Sequence, residues 1–527
     1  MRNRSLFPRS SSENGTGRAH ATTKRWFAAL TAVGALATVG GLAMTGSAGA
    51  QTAPTDCAPE LFSPPARPGY ANTTWPTEHA DAWRSHSVPA GLPAGVGAMK
   101  IRATSVTLPP VPVWGYVGKG NDVFVVGGAP YLLDMFTKVI QGAPQSKIPL
   151  LVARSKVYAA SMTPYLARIN TKTMHADVLS LPKGVSANYT GGALVHANGS
   201  VYAVARSVLY KINPRTFRIV ASHVLPLAPD SSGNPNRETA YNGMVATQNG
   251  DLVLKGWAST GGGAEPPGIL LRVNPGSLAI KAKVITSAVA AARMALVESN
   301  GTEFLYFPNQ TQSVRFALTS TGFTLDDTWS GTYLQPDSGM TTASSDVFMG
   351  NGVVFASNTE PTATAPMSVF GQGSATNAAL TAAVAPFTGT AGGWNFFMMA
   401  GDPYTSGISV VEDQASGHAT GYLTCGGGQS LTKIWENTSI SASAGVAINT
   451  TAGHLYTDDR VCTAGGKCRM FLVVLNLRTG EEIARVAVRG NKPSIGQIFI
   501  GPKAVYYVAT NTDDPHGYVT RVTASRG

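Results

Sequence analysis

The chain has 527 residues, 43% hydrophobic and 13% charged, with 58 glycines, which excludes a disordered polymer and provides for a large core. Its formal charge of +11 overstates the basicity, because residues 1–50 hold six Lys/Arg and one acid. The remainder keeps 34 basic and 28 acidic residues without a Lys/Arg cluster, so no nucleic-acid partner is expected.

Residues 1–50 read as a cleaved export signal. A long polar stretch ends in Lys24-Arg25, the apolar run Trp26 to Met44 follows, and Ala48 and Ala50 form a small-residue cleavage site. "TKRWFAA" (Thr23 to Ala29) resembles a twin-arginine signal with lysine in the first arginine place; general secretion is the other route. The Gly, Ala and Thr content of the run favours cleavage over a retained bilayer span. The expected protein is therefore secreted or held in the cell envelope, and is not integral to a membrane. Four cysteines then suit two disulfides. Cys462 with Cys468 would close a small loop, and Cys57 with Cys425 would pin an N-terminal arm, residues 51–98. A zinc site would need a C-x-x-C spacing that the chain lacks.

From residue 99 the chain repeats. Asn-Gly stands at Asn198-Gly199, Asn249-Gly250, Asn300-Gly301 and Asn351-Gly352, each pair 51 residues after the last. Between alternating apolar residues this dipeptide predicts type I′ hairpins. The same step lands on Asp402-Pro403, Gly453 and Ala504, and one step back the matching turn falls at Arg154-Ser155. A second turn recurs after an apolar strand ending in asparagine, in segments beginning at Ala167, Tyr210, Leu271 and Val474. Two hairpins per unit make four antiparallel strands. The expected fold is all-β, a β-propeller of eight four-stranded blades over 99–527, with seven or nine as alternative counts. The last unit (Ser494 to Ala524) has three strands, and its outer strand is expected from the N-terminal side, Met99 to Leu108. A further hairpin, Trp114 to Gly128, is left outside this count.

"LNLRTGEEIARVAV" (Leu475 to Val488) resembles the repeat of the eight-bladed propellers typified by quinoprotein alcohol dehydrogenases. The resemblance implies the fold, which hosts many unrelated functions. Those enzymes commonly place an adjacent cysteine pair at the cofactor, and some carry C-x-x-C-H for haem. This sequence has neither, and no cofactor is expected.

"YNGMVATQNGDLVLKGW" (Tyr241 to Trp257) carries the candidate site. Blades pack face to face, so Lys255 has no solvent side to occupy. Pairing about the Asn-Gly turn sets Asn242 opposite Trp257 and Met244 opposite Lys255, at the channel mouth. The 51-residue step adds Gly191 with Arg206, Arg293 with Tyr306, and Ser344 with Ser357. It also sets Trp394-Asn395 in register with Tyr241-Asn242, and brings Asp458, Asp459 and Arg460 to the matching place. The predicted ligand-binding set is Tyr241, Asn242, Lys255, Trp257, Arg293, Trp394, Asn395, Arg206, Asp458 and Arg460. Such a ring suits a monomer that captures a small polar molecule or glycan, with Trp257, Trp394 and Tyr241 stacking and Asn242, Asn395 and Arg293 bonding. The alternative is a hydrolase or lyase acting on an extracellular polysaccharide or lactone, using Glu238, Lys255, Asp337, Asp458 or Asp459. Strand-end polar groups also serve purely structural roles, and a quinoprotein dehydrogenase is the third reading.

Overall fold

The computed structural model describes residues 59–526 apart from 129–162, 182–189, 259–266, 333–339, 360–368, 374–379, 385–398 and breaks of four residues or fewer. The chain divides into 1–49, outside the described residues, and 50–527. No helix among the described residues is long and apolar enough to cross a membrane.

The second unit is a β-propeller of four-stranded antiparallel blades. In chain order its sheets cover 112–180, 190–224, 239–288, 295–325, 340–384, 400–437, 447–488 and 492–525, here blades A to H. Burial follows position within the blade. The second strands of B and H, Val201–Ala205 and Ala504–Thr510, are buried throughout, whereas the outermost strand of B, Arg218–Val224, is exposed at every other residue. Inner strands are covered on both faces by neighbouring blades, so they read as unbroken apolar runs. Blades A and H meet closely at one glycine: a Cβ on Gly115 would lie 2.0 Å from the Phe499 ring.

Local turn chemistry explains why these segments form hairpins. In blades A, B, C and G the turn into the outermost strand opens on Asn170, Asn213, Asn274 and Asn476. Each side-chain oxygen accepts two backbone N–H groups, for example from Gly276 at 2.7 Å and Ser277 at 3.0 Å for Asn274. The amide mimics a backbone carbonyl and fixes the turn before the sheet pairs.

The inner Asn-Gly turns differ from expectation. Asn300 and Gly301 both have positive φ, 52° and 77°, as a two-residue type I′ turn requires. At Asn249-Gly250 and Asn198-Gly199 only the glycine is left-handed. There Gly250 N–H donates to Thr247 C=O and Thr247 N–H to Asp251 C=O, a longer turn. The extra residue shifts the register, and a bulge at Asn242 shifts it again. Lys255 therefore faces Gly243 rather than Met244, and Trp257 faces Ala240 rather than Asn242.

Blade A also corrects the reading. Its inner hairpin is Pro112–Val117 with Asp122–Gly127, the one left uncounted. Arg154-Ser155 lies outside the described residues, in the stretch between that hairpin and Tyr165–Asn170. The expected turns at Asp402-Pro403, Gly453 and Ala504 each join a first strand to a second. Blade H consists of Lys492–Gly501, Ala504–Thr510 and Gly517–Ser525, and Lys100–Leu108 pairs antiparallel on its outer edge from Lys100↔Ser525 to Leu108↔Gly517.

The arm preceding that strand is the part with no repeat, and it runs across the first strands of the blades. Ala71 N–H donates to Val195 C=O of blade B, and Val117 N–H of blade A to Trp75 C=O. Thr74 donates to Ile500 C=O of blade H, and Ala246 N–H of blade C to the Tyr70 hydroxyl. Leu296, Gly401 and Ile448, of blades D, F and G, donate to the carbonyls of Ala82, Ser85 and His86. Ser87–Val88 adds a short parallel strand to Ala447–Asn449. One segment thus ties together the inner strands of seven blades, and residues 75–88 are buried throughout.

Of the expected disulfides, Cys462–Cys468 is present, joining two strands of blade G. Cys425 is also disulfide-bonded; Cys57, its expected partner, lies outside the described residues.

Candidate functional site at the hub

The hub is charged, and its centre is Glu78 of the arm. Gly192, on the first strand of blade B, makes room for it, since a Cβ there would lie 2.9 Å from Glu78 Oε2. Arg293 Nε, leading into blade D, stands 2.9 Å from Glu78 Oε1, and His79 Nε2 stands 3.2 Å from the same oxygen. The Arg293 guanidinium also lies over Trp114 of blade A, 5.0 Å from the ring centroid. Lys255 is completely buried in blade C, with Nζ 5.4 Å from the Phe307 ring of blade D.

Burial pushes the Glu78 carboxyl above its ordinary value, while Arg293, Arg84 and Lys255 pull it back. Burial and then Arg84 hold His86 down to about 3, and burial holds His79 well below the ordinary imidazole range, so both rings are neutral at pH 7. The two rings lie 4.0 Å apart, and His79 lies 5.6 Å from Trp114. Backbone strain is concentrated here too: His79, Ala80, Arg84 and His86 all have positive φ, between 54° and 75°. Non-glycine residues hold that conformation only where their surroundings impose it.

Several buried polar atoms at this end of the inner strands bond to no described group, namely the indole N–H groups of Trp114 and Trp257 and Nδ1 of His79. Buried donors are nearly always satisfied, so the two indoles call for an acceptor beyond the described residues.

The structure brings Lys255 and Arg293 together around Glu78. Asn242, the bulged residue, is buried in the same hairpin as Lys255. Tyr241 turns elsewhere and donates its hydroxyl to Pro226 C=O at 2.5 Å. Arg206 is half-buried, left-handed at φ 58°, in the tight turn after Val201–Ala205. Trp394 and Asn395 lie outside the described residues.

Asp458 and Arg460 belong to a second buried cluster, between blades F, G and H. Tyr507 donates to Asp458 Oδ2 at 2.9 Å, Thr457 donates to Glu412, and Arg460 Nη2 lies 3.4 Å from Cys468 Sγ. Burial, then the neighbouring Asp458, push the Glu412 carboxyl from 4.5 to about 8. Asp459 accepts from Ser441 N–H and pairs with Arg485 at 2.8 Å, a structural arrangement.

The fold is shared with quinoprotein alcohol dehydrogenases. The quinohemoprotein alcohol dehydrogenase of Comamonas testosteroni superposes with a TM-score of 0.57 at 11% identity, over 86% of this chain and 81% of that one. The quinohemoprotein alcohol dehydrogenase ADHIIG of Pseudomonas putida HK5 gives 0.55 at 10% identity, over 87% and 80%. A europium-containing methanol dehydrogenase gives 0.54 at 8% identity, over 86% and 98%. No family model and no curated protein matches the sequence. At such identities the likeness concerns architecture alone.

The disulfide of blade G is not the adjacent cysteine pair expected from that resemblance. The Cys462–Cys468 pair is six residues apart and joins strand ends of blade G, with Cys462 exposed, and the arm's own side chains pack against Trp114 at the hub. No group of three metal-ligating side chains occurs among the described residues. Sequence reasoning named Asn242, Lys255 and Arg293 for this site but not Glu78, Arg84, His86 and Trp114, which the structure places around them. "EHADAWRSH" (Glu78 to His86) offered a signal: five ionisable or imidazole side chains beside a tryptophan in a stretch without strand alternation.

Proposed function

We propose that this chain is an exported, monomeric propeller of eight blades, closed by Lys100–Leu108 on the last blade, that holds a small polar or glycan ligand at the hub. The observation that carries the reading is the set of buried N–H groups of Trp114 and Trp257 that bond to no described group, beside Lys255, Arg293 and Asn242. An oxygen-rich ligand would satisfy the indoles, while Lys255 and Arg293 would favour a carboxylate or other negatively polarised group. Trp394, Asn395 and Arg206 would complete the proposed ring, whereas Tyr241 is taken up by Pro226 and Asp458 and Arg460 belong to the cluster between blades F, G and H.

A thermal-shift screen of polar metabolites and glycans tests this. A ligand at a hundred times its Kd should add about 2.7 kcal/mol of stability. Lys255→Met, which keeps the stem and removes the charge, should abolish that gain. A folded Lys255→Met protein with an undiminished response would end the reading.

One observation favours the alternative, a hydrolase or lyase for a polysaccharide or lactone. Glu412, pushed up to about 8 by burial and by the neighbouring Asp458, can hold a proton at neutral pH, as a general acid must. Glu238 and Asp337, the other candidates, lie outside the described residues. Product formation from the retained ligand would select this alternative.

A further inference from the structure

The hairpin-turn side of the wheel carries a cavity of about 120 Å³, away from Trp257 and Lys255. Tyr70 and Trp83 of the arm, Thr247 and Gln248 of blade C's turn, and Glu298 and Glu303 of blade D line it. Its charges are unusual. Glu298 and Glu303 stand directly opposite each other across the Asn300-Gly301 hairpin, where like charges repel. Neither pairs with a cation among the described residues: Glu298 accepts from Gly301 N–H at 2.6 Å, and Glu303 from Gln248 N–H at 2.7 Å. The nearby cations are committed elsewhere, Arg67 to Asp81, and Arg272 with Lys281 to Asp251.

The opposite wall supplies a donor. Tyr70 is 4% exposed and its oxygen accepts from Ala246 N–H at 2.9 Å, while its own proton goes to no described group. Burial pushes the Tyr70 phenol well above its ordinary value, so the proton stays on. A guest must therefore bring positive charge to the two carboxylates and a lone pair to Tyr70, with an apolar face for Trp83.

We propose that this cavity binds an organic cation that also carries hydroxyl groups, the chemistry of an amino sugar. It is a second site, independent of the hub ligand. The test is calorimetric titration of the full chain with glucosamine, glucose and methylammonium as probes. Glucosamine should bind at one site, and Glu303→Gln with Glu298→Gln should weaken it at least about tenfold. The glutamines keep the acceptor oxygens that bond Gln248 and Gly301, so the melting temperature should hold. Lys255→Met should leave glucosamine binding unchanged, which separates this site from the hub. Absence of glucosamine binding, an unaltered affinity in the double variant, or equal binding of glucose or methylammonium would each overturn the proposal.

Discussion

Replacing Glu412 with glutamine isolates the electrostatics between blades F, G and H. Burial and Asp458 raise the Glu412 carboxyl from 4.5 to about 8, so the folded protein holds it protonated at neutral pH. A group with a raised folded pKa contributes its stability fully below the unfolded value and loses it as pH rises through the folded one. Over 3.5 units, at about 1.36 kcal/mol per unit, the loss totals ~5 kcal/mol, of which about 4 falls between pH 5 and pH 9. Glutamine resembles the protonated acid and keeps an oxygen for the Thr457 hydroxyl, so Glu412→Gln should match the parent protein near pH 5. At pH 9 it should be the more stable by several kcal/mol. Urea denaturation at both pH values measures the gap directly, and titrating groups remote from Glu412 cancel between parent and variant. A gap that changes by less than about 1 kcal/mol would refute the argument.

Two further substitutions probe the blades. Gly115→Ala should cost about 1–3 kcal/mol by urea denaturation, because its Cβ would meet the Phe499 ring at 2.0 Å; a loss under about 0.5 kcal/mol would show that the ring moves aside. Replacing Cys462 and Cys468 together by serine should cost about 2 kcal/mol, since their separation of six residues closes only a small loop. A larger loss would mean that blade G depends on the bridge for more than loop closure.

What the sequence made legible was the part written in local chemistry. Asn170, Asn213, Asn274 and Asn476 each bond their own turn, so the motif announced a strand pair wherever it occurred. The 51-residue step did the same for the inner hairpins of B, C and D. It failed at blade A because the stretch from Gly128 to Pro164 intervenes between its second and third strands, displacing the first hairpin from the period. Register was lost for a different reason: alternation looks the same whether a turn holds two residues or three, and the bulge at Asn242 leaves no mark in it. The arm was invisible because its partners are hundreds of positions away; Thr74 bonds Ile500 and His86 bonds Ile448. Half of the hub cluster comes from that segment, so only the blade residues Asn242, Lys255 and Arg293 could be read from the repeat.

The arm's path has a consequence for how the molecule is made. Residues 67–92 emerge early in synthesis, yet their docking surface is assembled from strands that reach to Gly501. Contacts so distant along the chain close slowly, and Glu78 lacks its ion pair with Arg293 until they do. The newborn chain must keep its leading end soluble and unengaged until nearly all of it has been delivered, and then seat that end like a keystone.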